Sequence, residues 1–157
     1  MTENSKPLKD RVALVTGASR GIGAAVSVRL AELGAHLILV ARTKAGLEEV
    51  DDKIRSIGGT ATLTPLDLSQ GVKINQLGSA LFERYKKLDI LIGNAGLLGT
   101  LGPINHIDPK VWQQTMDVNL TANWWLIRSL DPLLRQSSSG RAVFITSTAG
   151  HRSRAYW

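Results

Sequence analysis

An α/β fold, a doubly wound parallel sheet with helices on both faces, is predicted by three features of the sequence. Short apolar, β-branched runs recur five times along the chain, segments of helical periodicity separate them, and a glycine-rich turn follows the first run. The chain has 157 residues, enough for one domain with a core of its own. Its composition, 43% hydrophobic and 20% charged, is that of a globular protein.

The elements read in order as follows. Val12 to Thr16 is the first strand, and Gly17 turns it. Ile22, Val26, Leu30 and Leu33 fall on one face of a helix that Gly34 ends. Leu37 to Val40 is a continuous apolar run, the mark of a strand buried on both faces. Leu47, Val50, Ile54 and Ile57 mark a second helix, stopped by Gly58 and Gly59, and Thr60 to Leu66 is a β-rich third strand. Ile74, Leu77, Leu81 and Tyr85 mark a third helix, and Leu88 to Ile92 a fourth strand. A long helix is expected from near Pro109, a residue suited to a first turn, to about Arg135. After the tight loop Ser137 to Gly140, Arg141 to Thr146 is the fifth strand. Residues 1–9 read as a polar tail before a single domain.

The net charge is +6, but the basic residues are scattered, with Lys86-Lys87 and Arg152-Ser153-Arg154 the tightest groups. No basic stripe interleaves with aromatics, so nucleic acid is not an expected partner. No apolar run approaches the ~18 residues that span a membrane, and Met1 to Asp10 has no apolar leader region. Cysteine is absent, which excludes disulfides and thiolate metal sites and suits a cytoplasmic protein. No metal site is expected.

The chemistry begins at Thr16-Gly17-Ala18-Ser19-Arg20-Gly21-Ile22-Gly23. Glycines allow a tight turn and close backbone approach. A helix starting there presents free N–H groups and a partial positive charge to a pyrophosphate. The other reading, a βα turn with glycines for packing, loses ground because the turn follows the first strand of a βαβ unit. Further polar residues fall at later strand ends: Arg42, Asp67, Asn94 and Ser147. Ligands of open α/β sheets bind at those carboxyl ends. Taken singly, Asp67 is as well a turn residue, Asn119 a buried helix polar group, and Ser147 a strand-end serine.

In combination the motifs resemble the short-chain dehydrogenase/reductase family, whose nucleotide signature is Thr-Gly-x-x-x-Gly-x-Gly. The resemblance runs from about Lys9 to Trp157 and implies a Rossmann-type fold. Asp67-Leu68 stands where the family's Asp contacts adenine. Gly93-Asn94-Ala95-Gly96 resembles its Asn-Asn-Ala-Gly, with Gly93 departing at the first position. Val118-Asn119-Leu120 matches the segment of the catalytic Asn, and Thr146-Ser147-Thr148-Ala149-Gly150 that of the catalytic Ser. The implied cofactor-binding residues are Gly17, Ser19, Arg20, Gly21, Ile22, Gly23, Arg42, Asp67, Leu68, Asn94, Ala95 and Gly96. The implied catalytic residues are Ser147, which polarises the substrate oxygen, and Asn119, which holds a relay water. An NAD enzyme usually places a carboxylate at the tip of the second strand. Here Arg42 stands there and Arg20 lies in the glycine turn, so NADP is expected in preference to NAD.

The resemblance implies an oxidoreductase acting on a carbonyl/alcohol pair, a small-molecule substrate, and a homo-oligomer in the full-length form. It also implies a catalytic Tyr about a dozen residues beyond the Ser, with a Lys four residues after it. That count passes Trp157, and Tyr156, nine residues beyond Ser147 and without a Lys at that spacing, reads as a loop residue. The expectation is therefore a truncated chain, inactive by itself, with a sheet incomplete on its C-terminal side and the fifth strand left as an open edge. The rival reading is a non-catalytic nucleotide-binding or interaction protein.

Overall fold

The computed structural model describes residues 6–152, 155 and 156. Most of the polar tail lies outside them, as do Ser153, Arg154 and Trp157. Five strands, β1 (Val12–Thr16), β2 (His36–Ala41), β3 (Thr60–Pro65), β4 (Ile90–Gly93) and β5 (Arg141–Phe144), form one parallel sheet in the order β3-β2-β1-β4-β5. The crossovers are α1 (Gly21–Glu32), α2 (Lys44–Ser56) and α3 (Gly71–Tyr85), then α4 (Pro109–Met116) and α5 (Ala122–Gln136) between β4 and β5.

Alternation along β1 builds the two faces. Val12 and Leu14 enter a core with Ile74 and Leu81 of α3 and Leu126, Leu130 and Leu133 of α5. Ala13 and Val15 enter another with Ala31 of α1 and Leu47, Val50 and Ile54 of α2. Each fully buried leucine or isoleucine side chain contributes roughly 1.5–3 kcal/mol, which outweighs any weak local preference of these short strands.

The first strand keeps its expected limits, and the other strand limits shift by at most two residues. Before β4, Leu88 N–H bonds to the Leu133 carbonyl and Asp89 N–H to that of Val12. After β5, Ile145 N–H still reaches the Gly93 carbonyl at 2.9 Å, but the chain then leaves the sheet. The single long helix of the sequence reading is three pieces. Asp108 caps α4 by accepting from Lys110 N–H at 2.7 Å with Pro109 in the first turn, and a π-helical turn, Asp117–Thr121, joins it to α5. Such turns take up one extra residue and are frequent at functional sites.

At the amino end of the sheet a buried carboxylate ties three segments together. Asp89 accepts from Arg11 Nη1 (2.6 Å), Val12 N–H (2.9 Å) and Ser137 Oγ (2.5 Å). Burial alone would raise its pKa. The bonds from Ser137, Val12 and Arg11 and the charge of Lys87 outweigh that and hold it at about 2. Beside it, His36 opens β2. Its Nδ1 lies 2.8 Å from Thr60 Oγ1, and its Nε2 lies 3.0 Å from both Thr62 Oγ1 and the Tyr85 hydroxyl. Burial, and then the charge of Arg84, lower its pKa. β3 and β5 are the sheet's two edges, and near the latter Val143 and Ile145 are exposed.

Candidate cofactor site

With β1 flanked by β2 on one side and β4 on the other, the strand order reverses between β1 and β4. A crevice opens at the carboxyl ends there, as the geometry of open α/β sheets requires. It is a cavity of about 680 Å³. Of the twelve residues expected to bind a dinucleotide, all but Gly23 line it.

The glycines have separate reasons. Gly17 (φ +63°) and Gly21 (φ +56°) adopt the left-handed conformation that side chains disfavour. A Cβ on Gly17 would lie 2.9 Å from Asn94 Nδ2 and 3.0 Å from Ala95 Cα. On Gly23 it would meet Asn94 Nδ2 and the Gly17 carbonyl. Gly17 and Gly23 thus allow the turn to pack on the end of β4, whereas the space beyond Gly21 is open. Of the three, only at Gly21 is the room of a missing side chain left open rather than filled by the protein itself.

Thr16 and Asn94 lock that packing. Thr16 is fully buried; its Oγ1 accepts from the backbone N–H of Asn94 (2.9 Å) and of Ala95 (3.0 Å) and donates to the Ile92 carbonyl at 3.3 Å. Asn94 Nδ2 donates to the carbonyls of Thr16 (2.9 Å) and Gly17 (3.4 Å). Asn94 therefore holds the turn's shape with its amide while its backbone borders the cavity. Helix α1 starts at this turn with no side-chain cap on Arg20 and no acid in its first turn, so its first N–H groups have no side-chain partner.

Around the rim, Arg42 and Arg20 supply positive charge. Asp67 Oδ1 accepts from the N–H (3.0 Å) and hydroxyl (2.9 Å) of Ser69. Its pKa is lowered, first by that backbone bond; partial burial opposes, and the Ser69 hydroxyl and the charges of Arg42 and Lys73 add to the lowering. Sequence reasoning missed Thr43, Gly46 and Glu49, one stretch of chain that also lines the cavity. Nothing in a surface helix pattern marks such residues; only the approach of α2 to the glycine turn does.

The two expected catalytic residues lie apart from this lining. Asn119 sits in the π-helical turn. Its Oδ1 accepts from Leu97 N–H at 2.7 Å and its Nδ2 donates to the Leu97 carbonyl at 2.8 Å, so the amide pins the segment after Gly96. Its own carbonyl accepts from Asn123 Nδ2 at 2.8 Å. Ser147 is exposed beyond β5, where its Oγ accepts from Ala149 N–H at 3.1 Å and keeps its proton free to donate. Tyr156 is 64% exposed, and its carbonyl accepts from Gly102 N–H. No group of three His, Asp or Glu side chains gathers as metal ligands among the described residues, and none of their helices is long and apolar enough to cross a membrane.

A model of the short chain dehydrogenase family matches residues 11–157. The chain belongs to the short-chain dehydrogenase/reductase family. Within it, the chain is 39% identical over 153 residues to the uncharacterized oxidoreductase YciK of Escherichia coli, covering 96% of this chain and 61% of that protein. It is 31% identical to a sepiapterin reductase of Chlorobaculum tepidum, again over 61% of the relative. The chain thus spans about three fifths of the length of these relatives. Among solved structures, a short chain dehydrogenase of Shigella flexneri complexed with NADP superposes with a TM-score of 0.92 at 37% identity, covering 98% of this chain and 65% of that one. A metagenomic short-chain oxidoreductase in complex with NADP gives 0.91 at 36% identity, over 95% and 67% of the two chains. The sheet with its flanking helices is the Rossmann-type arrangement of this family.

Proposed function

We propose that the chain is a partial NAD(P)-binding domain whose cavity takes NADP(H), and that it serves an oxidoreductase acting on a carbonyl/alcohol pair. The observation that carries this is the uncapped N-terminus of α1 opening on a cavity rimmed by two guanidinium groups. The cofactor fits the residues present: space is open beyond Gly21, and the tip of β2 bears Arg42 in place of a carboxylate. The N–H groups of the first helical residues that line the cavity, Gly21 and Ile22, would hold the pyrophosphate. Arg20 and Arg42 would hold the 2′-phosphate through charge-assisted bonds. Asp67 and Leu68 would flank the adenine, and Asn94 to Gly96 the nicotinamide half. Both NADP-bound relatives support this choice.

When bound, the nicotinamide supplies the hydride. Ser147 donates a hydrogen bond to the substrate oxygen. Asn119, with both amide atoms engaged by Leu97, fixes the segment bordering the cavity, and a relay water would use a lone pair left on its oxygens. No proton donor to the substrate oxygen stands beside Ser147 among the described residues: Tyr156 is exposed, and its carbonyl accepts from Gly102 N–H. Since general acid/base catalysis contributes about 10²–10⁴-fold, the chain tested alone binds cofactor without turnover. Ser147 standing outside the cavity favours the second reading equally, a nucleotide-binding protein without catalysis. Pairing with a second copy would use the outer face of α5 and the turn before it, where Leu120, Trp124 and Ile127 are exposed.

The test is a fluorescence titration with NADPH beside an assay of NADPH oxidation with ketones, aldehydes and 3-oxoacyl thioesters. Binding without oxidation is expected. Absence of binding overturns the cofactor site, and turnover overturns the assignment of the missing acid.

A further inference from the structure

Helix α2 carries a glycine where none is needed for a turn. Gly46 is the third residue of α2, ahead of a regular helical run ending at Ser56. There, glycine costs up to about 1 kcal/mol relative to alanine. What occupies the room of its missing side chain is the cofactor turn. A Cβ on Gly46 would lie 2.9 Å from Ser19 Cβ and 3.4 Å from the Ser19 carbonyl oxygen. The first of these is closer than real Cβ contacts come, and it faces the base of a side chain fixed to the turn's backbone.

The contact joins the two segments that carry the rim arginines. Arg20 follows Ser19 directly, and Arg42 opens the two-residue connection that enters α2. Thr43, next after Arg42, is the N-cap of α2 and makes no side-chain cap bond, and it too lines the cavity. The Ser19–Gly46 contact therefore sets how far Arg42 and Thr43 stand from Arg20.

We propose that Gly46 is a positioning residue for cofactor choice: by letting α2 seat against Ser19, it holds Arg42 and Thr43 close enough to Arg20 to grip a 2′-phosphate jointly. This rests on the NADP(H) reading above. A side chain at 46 wedges α2 away from the turn. The pyrophosphate cradle, built from β1, α1 and the end of β4, keeps its own bonds through Thr16 and Asn94. The loss therefore falls on the 2′-phosphate.

The experiment is a titration of the 157-residue chain with NADPH and with NADH, giving the ratio of the two dissociation constants. Gly46→Ala lowers the preference for NADPH by about tenfold, the scale of one lost charge-assisted bond, while NADH affinity stays within about twofold. The change also adds helix propensity, so thermal stability does not report the effect and the ratio does. In a Ser19→Gly background the clashing Cβ is gone, and adding Gly46→Ala leaves the ratio where Ser19→Gly alone puts it. Adding the larger Gly46→Val there lowers it again, and this pair reads the same contact should Gly46→Ala alone fold poorly. If Gly46→Ala weakens both cofactors alike or leaves the ratio unchanged, or if Ser19→Gly does not cancel it, the proposal falls. Wild-type protein with no preference for NADPH overturns the NADP reading itself. A preference abolished by Arg42→Ala but untouched at Gly46 overturns only the role of Gly46.

Discussion

Replacing Thr16 by valine keeps the shape of the side chain and deletes one buried hydroxyl. That oxygen accepts from two backbone N–H groups, of Asn94 and Ala95, and donates to the Ile92 carbonyl. Leaving a buried polar group unpaired costs about 1–3 kcal/mol. Asn94 and Ala95 are only half-buried, so the lower part of that range applies to each. The expected loss is therefore about 2–4 kcal/mol, a large share of the roughly 5–15 kcal/mol that holds a domain together. Urea denaturation followed by circular dichroism measures it, with Thr16→Ser as control. The serine keeps the hydroxyl and loses one methyl, worth about 0.8 kcal/mol. NADPH affinity should fall with the valine and survive with the serine, because the same bonds fix the turn to β4. A valine variant within about 0.5 kcal/mol of the serine variant would refute the claim that this hydroxyl locks the site.

Three further outcomes follow from charge and protonation. Asp89 has a folded pKa of about 2, below its ordinary value near 3.9, so its contribution is full above that value and is lost as pH falls towards 2. The contribution is about 2 kcal/mol by linkage, and Asp89→Asn should flatten the acid limb of a stability–pH curve; an unchanged limb would contradict the clamp. His36, a base with a lowered pKa, charges more readily when unfolded. Stability should therefore fall as pH drops below about 6.5, and His36→Gln should remove that component of the curve. Glu49 lines the cavity, and its carboxylate would repel the extra charge of a 2′-phosphate, so Glu49→Gln should tighten NADPH more than NADH, by about two- to fivefold, the scale of an exposed charge pair.

Much of the fold was legible because parallel strands buried on both faces must be apolar throughout. The runs at Val12–Thr16 and Leu37–Val40 could be little else, and the glycines at 17, 21 and 23 mark a strand-to-helix turn by spacing alone. The strand-end residues that line the cavity were legible for the same reason: a doubly wound sheet brings its carboxyl ends together. What was not legible depends on partners distant in sequence. Thr16 could be read as a member of the turn, but the two N–H groups it satisfies come from 78 and 79 residues away. Gly46 and Glu49 belong to an ordinary amphipathic helix until α2 is seen against Ser19. The π-helical turn under Asn119 leaves the apolar pattern of the long helix nearly intact, so periodicity passes over it. Pro132 lies inside α5 without ending it, because Leu126, Leu130 and Leu133 are buried on either side.

The central claim is that this cavity reads a dinucleotide by its 2′-phosphate. The direct measurement is a titration of the wild-type chain and of the Arg20→Ala/Arg42→Ala double variant with NADPH and NADH. Charge-assisted bonds are worth about 1.5–3 kcal/mol each. The wild type should bind NADPH at least about tenfold more tightly than NADH, and the double variant should bind the two alike, at close to the wild-type affinity for NADH. A wild type that does not distinguish them, or a double variant that loses both equally, would contradict it.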